Sequence, residues 1–263
     1  MFNDLLFTVE NGIATVTVNR PKSLNSLTAN TFCELSAAFE ACQQNEEVRA
    51  VVVKGEGKNF SSGGDVAGFG ERLKKGADYE ASLKGAKEAS RMTESLRQCF
   101  KPTVAMVSGV CFGAGLSLAL ACDFRIIEQK TRMCTGFINA AFSGDSGTIF
   151  HLKEMVGFAR MTELMMTGRV LQAEEIMQLG LATQMAEEGQ LHEAAYGLAS
   201  RLAKGPTATF ARQKQLFWQT FYKDYGHYAE LEAQYMAECS MTQDFIEAVT
   251  SFLEKRPPQF AGK

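Results

Sequence analysis

At 263 residues, with 46% hydrophobic and 22% charged side chains, the chain has the balance of an ordinary globular protein, long enough for one large domain or a domain with a helical appendix. A net charge of −3 argues against a general nucleic-acid binder. Seven cysteines without a C-x-x-C spacing signal neither a zinc site nor a disulfide framework. No apolar run is long enough to span a bilayer, and Asn3 and Asp4 stand where a secretory leader would be basic, so a cytoplasmic protein without a membrane partner is expected.

Leu5 to Asn19 reads as two short strands around a turn at Asn11-Gly12. Thr28 is placed to cap a helix running to about Gln44, with Phe32, Leu35, Phe39 and Cys42 on one face. Ala50 to Gly55 is a buried strand, and a polar, glycine-rich stretch from Phe60 to Val66 follows it. Residues 68–89, charged and interrupted by glycine, predict a weakly helical, mobile segment, with a firmer helix after it up to Phe100.

The most informative stretch is Lys101 to Asp123. An apolar strand from Thr103 to Val107 enters a turn containing Gly109, Gly113 and Gly115, and an apolar helix over Leu116–Cys122 leaves it. Backbone N–H groups at such a helix start are free, and Gly113-Ala114-Gly115 lets a ligand approach them. The turn suits a phosphate, an oxyanion developing in a reaction, or simple tight packing. Phe124 to Ile127 is the next strand, and a loop from Met133 to Gly144 follows. Two or three amphipathic helices lie between Ser146 and Leu179, and the chain is almost wholly helical from Gln190 onward. Strands alternating with helices over the first two-thirds predict an α/β fold.

Several segments, in order, resemble the crotonase family, also called the enoyl-CoA hydratase/isomerase superfamily. They include Asn19-Arg20-Pro21, Phe60-Ser61-Ser62-Gly63-Gly64-Asp65, Gly109-Val110-Cys111-Phe112-Gly113-Ala114-Gly115, Thr167-Gly168-Arg169 and Phe252-Leu253-Glu254-Lys255-Arg256. The resemblance implies a crotonase-like spiral of ββα units with a C-terminal all-helical oligomerisation segment, divided here at 1–195 and 196–263. It further implies a homotrimer or dimer of trimers, an acyl-CoA substrate with coenzyme A as part of it, and no tightly bound cofactor or metal.

Carried over position by position, the backbone N–H groups of Gly64 and Ala114 form an oxyanion hole for the thioester oxygen. Lys22, Ser23 and Leu24, with Ser62, Asp65 and Val66, would lie along CoA, Phe137 near the acyl group, and Phe252 and Lys255 toward the CoA of a neighbouring subunit. Lys22 and Lys255 taken singly read equally well as solvated lysines. The two glutamates that hold water in family hydratases are replaced by Ser117 and Phe137. The histidine and tryptophan of the family's dehalogenases are likewise replaced, by Ser90 and Phe137.

One acid remains well placed. Asp145, in Phe142-Ser143-Gly144-Asp145-Ser146-Gly147, matches the catalytic acid of single-acid isomerase branches, and it also has the form of a helix cap. Phe137, Ile138, Phe142, Ile149 and Phe150 are expected to give it an apolar setting that raises its pKa. His192 and His227 read as surface residues and His151 as a helix-surface or core residue. Taken together, these features favour an enzyme that shifts a double bond in an enoyl-CoA through an oxyanion-stabilised dienolate. Other enolate chemistry (hydration, decarboxylation, ring opening) and non-catalytic acyl-CoA binding are the alternatives.

Overall fold

A computed structural model of the chain describes residues 2–74, 76 and 78–263. The first hairpin joins β1 (Leu5–Glu10) to β2 (Ile13–Val18), with Leu5 opposite Val18 and Glu10 opposite Ile13. Asn11 and Gly12 both take positive φ (53° and 78°), the geometry that lets a two-residue loop follow the strands' twist. Thr28 caps α1 (Ala29–Gln44) through a capping box with Thr31, and the face bearing Phe32, Leu35, Phe39 and Cys42 is buried.

From β2 the sheet continues in parallel through β3 (Ala50–Gly55). Next along the chain, α2 (Val66–Leu73) and α3 (Tyr79–Gln98) cross over to β4 (Thr103–Val107), which pairs with β3. Residues 68–89 are thus more regular than their composition predicts, and the part of that segment at Lys75 and Ala77 lies outside the described residues. The Asp78 carboxylate starts α3 by accepting the Ala81 N–H (3.1 Å). The buried stripe of α3 includes Ala86, Ala89, Ser90 and Thr93, small residues that carry little hydrophobic signal.

A short β5 (Val110–Phe112), not predicted from sequence, leads into α4 (Ala114–Ala121). This helix starts two residues earlier than predicted because Gly113 takes the cap position. All eight of its residues are buried, as a helix apolar on every side should be. Next come β6 (Phe124–Ile127), beside β4, and β7 (Arg132–Cys134), beside β5 and overlapping the start of the predicted 133–144 loop. The rest of that loop holds a 3-10 turn at Phe137–Ala140.

Beyond it lie α5 (Thr148–Thr167, interrupted at Gly157), β8 (Leu171–Gln172), α6 (Ala173–Gln178) and β9 (Gln184–Met185). The large sheet runs β1-β2-β3-β4-β6-β9 and the small one β5-β7-β8. Four helices complete the chain: α7 (Leu191–Ala203), α8 (Thr207–Phe221), α9 (Tyr225–Cys239) and α10 (Gln243–Glu254).

Alternate residues of β3 serve two cores. Val51 and Val53 face the helices of the main core, while Ala50 and Val52 face Leu191, Ala195, Ala199 and Ala203 of α7. The division predicted at 195/196 falls inside α7. The later helices reach elsewhere: α9 lies along α3 and α10 against α2, where Leu253 abuts Gly70. No described helix is long and apolar enough to cross a membrane.

Candidate functional site

Two turns meet at the end of the small sheet. Ser61 pairs with Cys111, and the Phe112 N–H donates to the Ser61 carbonyl (3.0 Å), so the 60–64 segment runs beside β5. Gly63 is required by this approach. Its φ is +89°, and a side-chain carbon on it would sit 2.8 Å from the Phe112 carbonyl oxygen and 3.4 Å from the Ala114 nitrogen. Gly115 is packed equally closely, with Ser61 Oγ 2.7 Å from where its side chain would begin. Neither the Gly64 N–H nor the Ala114 N–H donates to an acceptor among the described residues. Both are therefore free to bind an anionic oxygen.

Asp145 lies at the start of α5 and is 7% exposed. Burial pushes its carboxyl up to about 6, against a single opposing hydrogen bond from the Ser146 hydroxyl (2.9 Å). It does not cap α5 through its side chain; its backbone carbonyl instead accepts from the Thr148 N–H and hydroxyl. The Thr148 hydroxyl is in turn hydrogen-bonded to Ser117, which is fully buried. Ser117, which the resemblance aligns with a hydratase acid, thus helps hold the Asp145 loop.

Asp145 faces a cavity of about 870 Å³ walled by Leu27, Phe32, Phe69, Phe142, Met236 and Phe245. Phe142 packs on Phe245 (ring centroids 4.7 Å apart) and Phe69 meets Phe142 edge-on (5.6 Å). Asp65, next to Gly64, is also in the wall, while the Gly64 and Ala114 amides lie outside it. Asp65 caps α2 through the Gly68 N–H and pairs with Arg20 (3.2 Å).

The apolar setting of Asp145 differs from the predicted one. Phe142 belongs to it, but Phe137 packs toward Gly113, Ile138 is 42% exposed, and Phe150 turns to the rings of Tyr222, Tyr225 and Tyr228. Sequence spacing could not show which way those rings point.

The remaining predicted residues fall into two groups. Ser62 donates its hydroxyl to the Ser23 carbonyl (3.3 Å) and its N–H to the Leu24 carbonyl (3.0 Å). The 22–24 turn and the Ser62-Asp65-Val66 stretch therefore share one rim, with Lys22 and Leu24 exposed. Phe252 and Lys255 are both exposed at the end of α10. His192 and His227 are exposed, whereas His151 is buried, held neutral by burial and by the nearby Arg97 and Arg125.

One acid was missed from sequence. Glu232 of α9, 6% exposed, accepts the Gly147 N–H (2.8 Å), the Ser90 hydroxyl (3.3 Å) and the Tyr228 hydroxyl. Its signal was faint: an acid on the stripe of α9 that carries Tyr225, Ala233 and Met236.

Comparison with known proteins agrees with this architecture. The family model for enoyl-CoA hydratase/isomerase matches residues 8–263. A trans-2-decenoyl-[acyl-carrier-protein] isomerase of Streptococcus mutans is 30% identical over 262 residues, covering 100% of this chain and 99% of the relative. A 1,2-epoxyphenylacetyl-CoA isomerase of Escherichia coli is 28% identical, with 100% of both chains covered. A crystal structure of an enoyl-CoA hydratase from Mycobacterium avium subsp. paratuberculosis superposes with a TM-score of 0.90 at 26% identity, over 99% of this chain and 100% of that one. Fold, segment order and family model coincide over nearly the whole length, and the chain belongs to the enoyl-CoA hydratase/isomerase family.

Proposed function

We propose that the protein is an acyl-CoA isomerase that moves a carbon–carbon double bond, with Asp145 as its one proton carrier and the Gly64 and Ala114 amides as its oxyanion hole. The observation that carries this reading is a buried carboxylate, without a cationic partner among the described residues, on the wall of an apolar cavity. The two positions that hold hydratase acids are filled by Ser117 and Phe137.

In this mechanism the thioester oxygen accepts from the two free amides, which acidifies the α-carbon. Because the donors are fixed and the charge develops only as the proton leaves, they favour the transition state over the ground state. With its carboxyl at about 6, Asp145 is largely ionised at neutral pH yet more basic than a solvated aspartate. It takes a proton from C2 and returns it to C4 of the bound dienolate. The aromatic wall formed by Phe69, Phe142 and Phe245 keeps water from competing for the intermediate. CoA would follow the rim of Lys22, Ser23, Leu24, Ser62, Asp65 and Val66. Phe252 and Lys255 would meet the CoA of a neighbour in a homotrimer or a dimer of trimers.

The test is conversion of a 3-enoyl-CoA to the conjugated 2-enoyl isomer, followed by ultraviolet absorbance. Asp145→Asn should lower kcat by about 10²–10⁴ while acyl-CoA still binds. Ala114→Pro deletes one N–H at a helix position that tolerates proline and should cost about 10²–10³ in kcat. Full activity in Asp145→Asn would overturn the assignment. Binding without turnover across enoyl-, acyl- and aryl-CoA esters would overturn the enzyme reading.

A further inference from the structure

We propose that Glu232 is a positioning residue for Asp145, anchoring the loop that presents it and setting a second acid behind it. The inference rests on the reading of Asp145 given above. The loop is one that needs anchoring: Gly144, Ser146 and Gly147 have φ of 133°, 56° and 71°. A non-glycine residue such as Ser146 holds that conformation only where its surroundings over-determine it. Two contacts from outside the loop fix it directly. Thr93 donates its hydroxyl to the Ser146 carbonyl (3.0 Å), and Glu232 accepts the Gly147 N–H (2.8 Å). A side chain on Gly147 would collide with Tyr225, so the backbone can lie against α9 only as glycine.

Glu232 is more than an acceptor that any amide could replace. It is buried, and among the described residues no lysine, arginine or histidine pairs with it. A buried acid satisfied only by neutral donors costs stability. Tyr225 and Tyr228 on α9 are the titratable groups coupled to Glu232, and the cavity wall that Asp145 shares also carries Asp65, Arg72, Asp78 and Glu80. Burial pushes Glu232 up to about 7, with Tyr228, Gly147 and Ser90 opposing the rise and the Asp145 charge adding to it. The two charges oppose each other, so the pair loses its protons in two steps. Once ionised, Glu232 places a negative charge behind Asp145 and raises its affinity for a proton, which makes it a stronger base above neutrality.

The experiment compares Glu232→Gln with the wild-type enzyme from pH 5.5 to 9. Glutamine keeps an oxygen for the Gly147 N–H but cannot ionise. Its kcat should match wild type near pH 6 and fall roughly 3- to 10-fold below it near pH 8.5, a change a purely structural role would not produce. Glu232→Ala, which also strands the Gly147 amide, should lose activity at every pH. A substrate-free readout is the carboxyl ¹³C signal of labelled Asp145, which should titrate in two steps in wild type and one in Glu232→Gln. Should Glu232→Gln fail to fold, Tyr228→Phe, which strips one donor from Glu232, should move the upper step to higher pH. A wild-type to Glu232→Gln ratio that is flat with pH, or a one-step titration in wild type, would overturn the inference. Full activity in Asp145→Asn would instead strike the reading on which it rests.

Discussion

Two shielded aspartates sit in different surroundings, and the contrast separates an acid held in one state from one able to change state near neutrality. Asp123, at the end of α4, meets Lys214 Nζ at 2.6 Å, the Thr103 N–H at 2.8 Å and the Thr103 hydroxyl at 3.0 Å, with Arg97 at 3.7 Å. Burial alone would raise its pKa, but Lys214 and Arg97 hold it below the usual carboxylate range. Asp145 is more deeply hidden and has only the Ser146 hydroxyl against its burial. An acid with cations beside it gives up its proton early and keeps to one state. An acid in an apolar wall remains able to change state near neutrality.

Breaking the paired acid should give the largest effect on stability. Lys214→Met leaves Asp123 charged and shielded, and should cost about 3 kcal/mol at pH 7 in a denaturant titration. Because the folded-state pKa of Asp123 is depressed, its stabilising contribution exists above the unfolded value and is lost on acidification, so the penalty should shrink toward pH 3. Asp145→Asn should do the opposite. The raised pKa of Asp145 makes its charge a burden that is absent below about pH 4 and complete above about pH 6. The variant should therefore gain on the order of 2–3 kcal/mol at pH 8 and nothing at pH 4, while losing activity. Adding Asp123→Asn to Lys214→Met should recover part of the loss, since it removes the stranded carboxylate but takes from Arg97 its acidic neighbour. The smallest expected change comes from Phe142→Leu, which admits water beside Asp145. The acid limb of kcat/KM should move down by about half a pH unit.

Much of the frame was legible because it is written locally. The Asn11-Gly12 turn, the Thr28 cap and the apolar runs of β3, β4 and β6 depend on near neighbours in sequence, and each lies where periodicity puts it. The meeting of Gly63-Gly64 with Gly113-Ala114 was legible only as order along a resemblance, since the pairing of Ser61 with Cys111 joins residues far apart in the chain. Residues 68–89 read as irregular because the part of α3 within them buries only Ala86 and Ala89, which carry little hydrophobic signal. The surroundings of Asp145 were least legible. Its wall takes Phe32 from α1, Phe69 from α2, Met236 from α9 and Phe245 from α10, and no local pattern tells such a ring from plain core.

The span between Gly147 and Glu232 has a consequence for the order of synthesis. A ribosome delivers Gly64, Ala114 and Asp145 well before Tyr225, Glu232 and Phe245. A nascent chain that has reached α8 thus carries every atom of the proposed reaction, yet the loop bearing its acid has nothing to rest against on the α9 side. Domains tend to fold as they emerge, and here the last quarter of the chain closes the pocket around an acid made earlier. A chain cut before α9 is therefore expected to keep Gly64, Ala114 and Asp145 yet turn over no enoyl-CoA.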